Sequence, residues 1–424
     1  MKEIILGAGL SGLGIAKENP SLKIYEERES GIGHASSYIR FNQFFDHGAH
    51  ICHSKNEQWL KLLDLDNVTI NKSKIMSYKS GNWIGYPVQN NICDLDIKEA
   101  QEVVQGLLDR GEEKPLENYY DWLLISYGKY LADMYYSIYT QKYWRTDPRE
   151  MSIDWLNGRL VKPDSKKIAH GIFSNSEQQA VFSEYIYPRQ GGFEALFSRI
   201  LAKYKDQIYY GYKVTEIDIY KRNVIFASEK VEGYEKIYST LPLPTLLGLI
   251  GKNTKLPLAV SDALGNLKYL NLIQTVVQFK LEKEVDLEDC PDWFYVYDIE
   301  IDFSRAALMN KLRGERKAKI LYFQIETFRR NDEDVCLNNV LDNIKLELPF
   351  IVQSMVKCNI LDASYYIDNL GISYVVPLKN NSKYLEIIKS YLAENNIETL
   401  GLYGHWKYVW SDAAFLNSSS GKWR

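Results

Sequence analysis

Ile4-Ile5-Leu6-Gly7-Ala8-Gly9-Leu10-Ser11-Gly12, near the head of the 424-residue chain, decides the fold. An apolar run passes directly into G-x-G-x-x-G, the pattern of a buried strand that turns into a helix. Gly7 allows the tight turn, Gly9 removes the side chain that would block a pyrophosphate, and Gly12 lets the helix pack close to the strand. The amides of Leu10 and Ser11 then stand at a helix N-terminus, where free N–H groups and the helix dipole attract phosphate.

The pattern alone is weak, because glycine is common, and context gives it weight. A helix-like segment, residues 13–18, follows it. After Pro20 comes a second apolar strand, Leu22-Lys23-Ile24-Tyr25, closed by Glu26. A carboxylate there accepts hydrogen bonds from a ribose diol, so the whole reads as a dinucleotide cradle. A glycine turn in some other βαβ unit is the alternative.

A chain of this length predicts two or three domains. Its composition, 46% hydrophobic and 25% charged, is that of a globular protein. Residues 241–250, among the longest apolar runs, are broken by Pro242, Pro244 and Gly248, so no integral membrane segment is expected. The chain opens on a strand with no room for a leader peptide, which predicts a cytoplasmic protein. A net charge of −4 with both signs dispersed argues against nucleic acid as a partner. Cys52, Cys93, Cys290, Cys336 and Cys358 form no C-x-x-C pair, so neither disulfides nor zinc are expected, and buried apolar roles are. The 32 Tyr, 9 Trp and 15 Phe suit walls that hold sugars or flat rings; a codon bias toward Tyr is the plainer account.

Further along, Gly31-Ile32-Gly33-His34-Ala35-Ser36 is a small-residue loop, and Gly48-Ala49-His50-Ile51-Cys52-His53 a second glycine-flanked segment. Residues 56–65 predict a short helix, and residues 75–78 and 82–87 a hairpin. From residue 97 to about 158 the apolar period turns helical, which predicts an inserted helical subdomain rich in Trp and Tyr. Residues 214–219 and 224–227 read as strands, residues 265–330 as a mostly antiparallel sheet, and residues 397–406 as a closing strand followed by a last helix.

In their order these pieces resemble the FAD-containing UDP-galactopyranose mutases and their relatives of the amine oxidase and protoporphyrinogen oxidase-like class. Gly7, Gly9, Gly12 and Glu26 are similar to the FAD fingerprint, and Gly48 to His53 to the segment beside the flavin. Asp121-Trp122, Tyr139, Lys142, Trp144, Asp147-Pro148 and Glu150 resemble the helical-insert signature. Tyr187-Pro188 with Gly191-Gly192 resembles the turn that re-enters the flavin domain, and Gly401 to Tyr408 with Asp412 the closing motif. Two positions depart from the family: Ile32-Gly33 where it has a Gly-Gly pair, and Leu402 where its closing motif carries Arg.

The resemblance implies an α/β fold: a Rossmann-type FAD domain of the glutathione-reductase kind assembled from residues 1–90, 186–250 and 396–424. A helical insert would occupy residues 91–185, and an antiparallel-sheet substrate domain residues 251–395. It implies FAD contacts at Gly7, Gly9, Leu10, Ser11, Gly12, Glu26 and Glu27. Further contacts would come from Gly33, Ser36, Gly48, Ala49, His50, Val214, Gly404 and Asp412.

The chemistry implied is either flavin attack on the anomeric carbon of a nucleotide-linked sugar, in polysaccharide biosynthesis, or hydride transfer in an oxidoreductase. A flavin-binding protein without turnover is the third reading. His50, His53 and Tyr408 are the expected catalytic groups. Neutral or charged imidazole tunes a flavin and relays protons, whereas a structural histidine is the alternative. His47, His50 and His53 stand three apart, but Gly48 and the flanking Phe residues argue for strand or loop, and no metal is expected. Tyr139, Lys142 and Trp144 are expected to meet the substrate, the rings by stacking and the lysine at phosphate, with core packing an equal alternative for the rings. Arg159, beside Lys162, falls where the mutases offer arginines to the substrate pyrophosphate. Tyr187, Arg305 and Tyr374 complete the substrate set, with an exposed salt bridge the simpler assignment for Arg305. A nucleotide sugar or other small molecule is the expected partner, and a homodimer is compatible with the reading.

Overall fold

The computed structural model describes residues 2–110, 115–156, 160, 163–174 and 183–418. Five parallel strands make its first sheet, in the order Ile397–Thr399, Lys236–Ser239, Glu3–Leu6, Lys23–Tyr25 and Ile208–Tyr209. Ile4, Ile5 and Leu6 are buried, as an apolar run covered on both faces requires. The sheet draws strands from the start, middle and end of the chain. The helix Leu10–Glu18 follows the first strand directly. Two short strands, Val214–Asp218 and Asn223–Phe226, lie close to the expected positions, and a third, Val231–Gly233, which the sequence reading did not name, pairs antiparallel with the second.

A seven-stranded sheet forms the second layer. Its long members are Tyr269–Asp286, Lys317–Arg330 and Ile360–Val375, paired antiparallel. The hairpin Ile75–Lys79 and Asn82–Gly85 belongs to it too, joined in parallel through Trp293–Val296. The second sheet therefore takes strands from within residues 1–90. Conversely, the helices Leu258–Asn266 and Asn381–Glu394 bury Val260, Ala263, Leu385, Ile388 and Leu392 against Ile4, Leu6 and Ile237 of the parallel sheet. Local periodicity names a strand or helix but not the layer that covers it, so segments placed by chain order change layer once their partners are known.

The helical insert packs on the large sheet: Ile97–Leu108, Tyr119–Leu131, a widened turn over Ala132–Ser137, and Ile138–Trp144. It buries Tyr119, Leu123, Tyr127, Tyr135 and Trp144 in a core shared with Leu270, Leu272 and Phe328 of the large sheet. The helix expected over residues 56–65 is only Glu57–Leu60, capped by the Asn56 side chain. It ends early because the chain is drawn off to hydrogen-bond Leu196 O through Asp64 N. Cys52, Cys290 and Cys358 are buried as expected, but Cys93 and Cys336 are exposed. No described helix is long and apolar enough to cross a membrane.

Candidate functional site

One continuous cavity of about 750 Å³ runs from the glycine loop into the helical insert. At its first end the structure meets the demands of the motif. Gly7 has φ +98°, and a side chain there would strike Thr240 Oγ1 at 2.3 Å. Gly12 lies so close to the first strand that a Cβ would stand 2.1 Å from Gly7 O. At Gly9 a Cβ would meet nothing within 4 Å, so the space above it is open to the cavity. Gly9 caps the helix Leu10–Glu18 without any side-chain bond to the first-turn amides. Glu26 is fixed beside this loop by Ala8 N to Oε2 (2.8 Å) and Arg28 N to Oε1 (3.1 Å). A helix start without a side-chain cap, open space over Gly9 and a positioned carboxylate fit a dinucleotide. Glu27, Gly33 and Val214 line the same end.

Farther in, the wall is built by Gly48, Ala49 and His50. Two amides of this segment are held by side chains of the large sheet: Gly48 N donates to Gln274 Oε1 (2.8 Å) and Ala49 N to Glu326 Oε1 (2.8 Å). His50 stacks on Phe193, with centroids 5.0 Å apart and planes at 16°. Asp46 fixes the Phe193 side of this stack. It accepts from Ser37 Oγ (2.6 Å), Tyr187 Oη (2.6 Å) and Phe193 N (2.8 Å), and is itself fully buried. Burial lowers the imidazoles of His47 and His50, and takes that of His34 down to about 3, so all three favour the neutral form. Among the described residues no cluster could hold a metal ion.

Beyond His50 the cavity widens into an aromatic chamber. Tyr139, Tyr143 and Trp144 come from the insert, Tyr295, Arg305 and Tyr374 from the large sheet, and Tyr408 and Trp410 from the C-terminal segment. Tyr374 and Tyr408 stack at 5.3 Å and 5°, and His53 meets the Trp410 ring edge-on at 4.6 Å. Burial pushes the phenols of Tyr139, Tyr143 and Tyr374 well above their ordinary range, so they remain protonated donors. Arg305 is paired with Glu326 through Nε (2.7 Å) and a terminal nitrogen (2.5 Å). The pair is buried, not the exposed salt bridge that the sequence suggested. Tyr408, Asp412 and Leu402 also line the cavity, and Asp412 Oδ2 accepts from Ser54 Oγ at 2.5 Å.

Several expected contacts lie elsewhere. Lys142 is off the cavity wall: Nζ donates to Asp298 O (2.6 Å), and burial lowers its amine to about 7. Tyr187 is buried under the site on Asp46. Ser36 Oγ accepts from Ile32 N (2.7 Å) and shapes the loop from behind, while Gly12 and Gly404 serve close backbone packing. Arg159 and Lys162 lie outside the described residues. Trp406 packs in the core of the parallel sheet.

Sequence reading missed Asp46, Gln274, Glu326 and Gln324, whose Oε1 accepts from Asp46 N (3.1 Å). A signal was present: polar residues at alternate positions, Gln324 and Glu326, interrupt an apolar strand, as does Gln274 in its neighbour. Such groups stay buried only with partners.

No protein-family model matches the chain. Among solved structures, that of a reduced UDP-galactopyranose mutase superposes with a TM-score of 0.83 at 20% identity, covering 98% of this chain and 92% of that one. A protein named as a candidate protoporphyrinogen oxidase, from Exiguobacterium sp. 255-15, gives 0.70 at 13%, covering 99% and 97%. A CLA-producing fatty acid isomerase from P. acnes gives 0.57 at 12%, again covering 99% and 97%. The chain therefore has the α/β fold of these proteins, parallel sheet and antiparallel sheet together. At these identities the likeness is one of fold, and function rests on the site.

Proposed function

We propose that the chain is an FAD-dependent enzyme of the mutase-like branch that acts on a nucleotide-linked sugar in polysaccharide biosynthesis. The observation that carries this reading is the continuous cavity that joins the open space over Gly9 to an aromatic chamber past His50. The fold likeness to a UDP-galactopyranose mutase over nearly both whole chains supports it.

Gly7, Gly9, Leu10 and Ser11 would hold the cofactor's pyrophosphate, Glu26 its ribose, and Gly48, Ala49 and His50 the flavin side. When bound, FAD supplies a centre that attacks an anomeric carbon if reduced or accepts a hydride if oxidised. The chain's own residues then bind and orient. Neutral His50, set on Phe193, offers a ring nitrogen without a competing positive charge. Tyr139, Tyr143, Tyr374 and Tyr408 offer hydroxyls to sugar oxygens and ring faces to sugar C–H groups, and the enclosing rings exclude water.

A redox flavoenzyme of the oxidase-like class is the second reading. Leu402 favours it, because an apolar side chain stands on the cavity wall where the mutase resemblance has a cation. An anaerobic titration of FAD-loaded protein with UDP-sugars separates the two. If only reduced protein converts a sugar to an isomer of equal mass, the mutase-like reading stands. If a sugar bleaches the oxidised flavin, the redox reading replaces it.

A further inference from the structure

We propose that Arg305 and Glu326 form a charge-balanced site that holds an uncharged, oxygen-rich part of the substrate. In the nucleotide-linked substrate proposed above, on which this inference rests, that part is the sugar and not the phosphates. Arg305 lines the cavity, whereas Glu326 stands behind it, 1% exposed. Glu326 Oε2 engages two guanidinium nitrogens, and Oε1 accepts from Ala49 N. The carboxylate is thus committed on both oxygens, and the guanidinium, which also meets the Tyr295 hydroxyl, lines the chamber with the carboxylate behind it.

A guanidinium in this state still donates hydrogen bonds in a fixed plane, but its field no longer favours a polyanion. The rest of the wall agrees. Among the described residues the cavity lining carries two cations, Arg28 and Arg305, against three carboxylates, Glu26, Glu27 and Asp412. Arg28 stands at the glycine-loop end, its Nη1 on Gly33 O at 2.7 Å. Around Arg305 stand Tyr139, Tyr143, Tyr295 and Tyr374, neutral hydroxyls on flat rings. Planar donors, phenol hydroxyls and ring faces recognise hydroxyl groups and C–H faces, the chemistry of a sugar. Because Glu326 also holds Ala49, beside His50, the same carboxylate ties this binding edge to the flavin-side segment.

The test is calorimetric titration of FAD-loaded protein with inorganic pyrophosphate, uridine and UDP. Wild type, E326Q, R305A and the double variant are compared; glutamine retains an acceptor for Ala49. The expected result is that R305A changes UDP affinity by less than about twofold. E326Q should tighten pyrophosphate by about tenfold or more, and the double variant should lose that gain. A loss of about tenfold or more in UDP affinity in R305A overturns the proposal, as does an E326Q protein no better for pyrophosphate than wild type. If E326Q does not fold, wild type against R305A decides: an Arg305-dependent preference for UDP or pyrophosphate over uridine overturns the proposal, and its absence supports it. If wild type binds neither uridine nor UDP, the nucleotide-sugar reading fails by itself, and the pyrophosphate comparison still judges the pair.

Discussion

Three glycines of one motif do different work, and single substitutions should separate them. A side chain at Gly9 points into open cavity, and its φ of −69° and ψ of 173° suit any residue. Gly9→Val should therefore leave the melting temperature of the cofactor-free protein within a few degrees of wild type while weakening FAD binding by at least about tenfold. Gly12→Ala drives a Cβ into Gly7 O, so it should cost about 1–3 kcal/mol of stability even without FAD, read as a lower denaturation midpoint. His34 gives a pH signature. Its imidazole stays neutral in the fold down to about 3, because burial disfavours the cation, whereas the unfolded imidazole takes up a proton near its ordinary value. The unfolded state thus binds more protons below about pH 6.5, and stability falls as pH drops from there. His34→Gln should flatten that slope between pH 7 and 5 in thermal melts. The glycine roles were legible in the spacing; the neutrality of His34 was not, since burial comes from elements far along the chain.

Two buried polar groups decide how the elements meet. Asp46 ends the strand Gln43–Asp46 and joins it to the turn that carries Phe193, and hence to His50. Asp46→Ala removes three hydrogen bonds at once and strands the Tyr187 hydroxyl, so a loss of about 3–5 kcal/mol is expected in urea unfolding. Lys142 acts through pH. Burial lowers its amine from the ordinary value to about 7, so between pH 7 and 10.5 the unfolded state holds the extra proton and stability rises with pH. Against wild type, Lys142→Met should gain relative stability at pH 7 and lose that advantage as pH rises toward 10. Lys142, in the segment that resembles the helical-insert signature, is expected at phosphate beside Tyr139 and Trp144. The helix instead turns those rings toward the cavity and the lysine toward Asp298, a matter of rotation about the axis that needs the packing partner.

Across the whole molecule the cavity is walled by both sheets, the insert and the C-terminal segment, so the cofactor expected there would bridge them all. FAD at about 100 times its dissociation constant should add about 2.7 kcal/mol, raising the melting temperature in one cooperative step shared by protein and flavin fluorescence. A protein that neither keeps FAD nor gains stability from it would sink every flavin-based reading of the site. The sequence by itself determined the glycine turn into the first helix, the acid after the second strand and the helical period that begins at residue 97. These rest on local spacing and on contacts a few residues apart. Only the tertiary structure decided that Arg305 is a buried pair with Glu326, that Asp46 sets the seat of His50, and that Lys142 leaves the site. Each of these depends on strands and helices brought together from distant parts of the chain, where burial makes a polar group seek its nearest partner whatever its place in sequence.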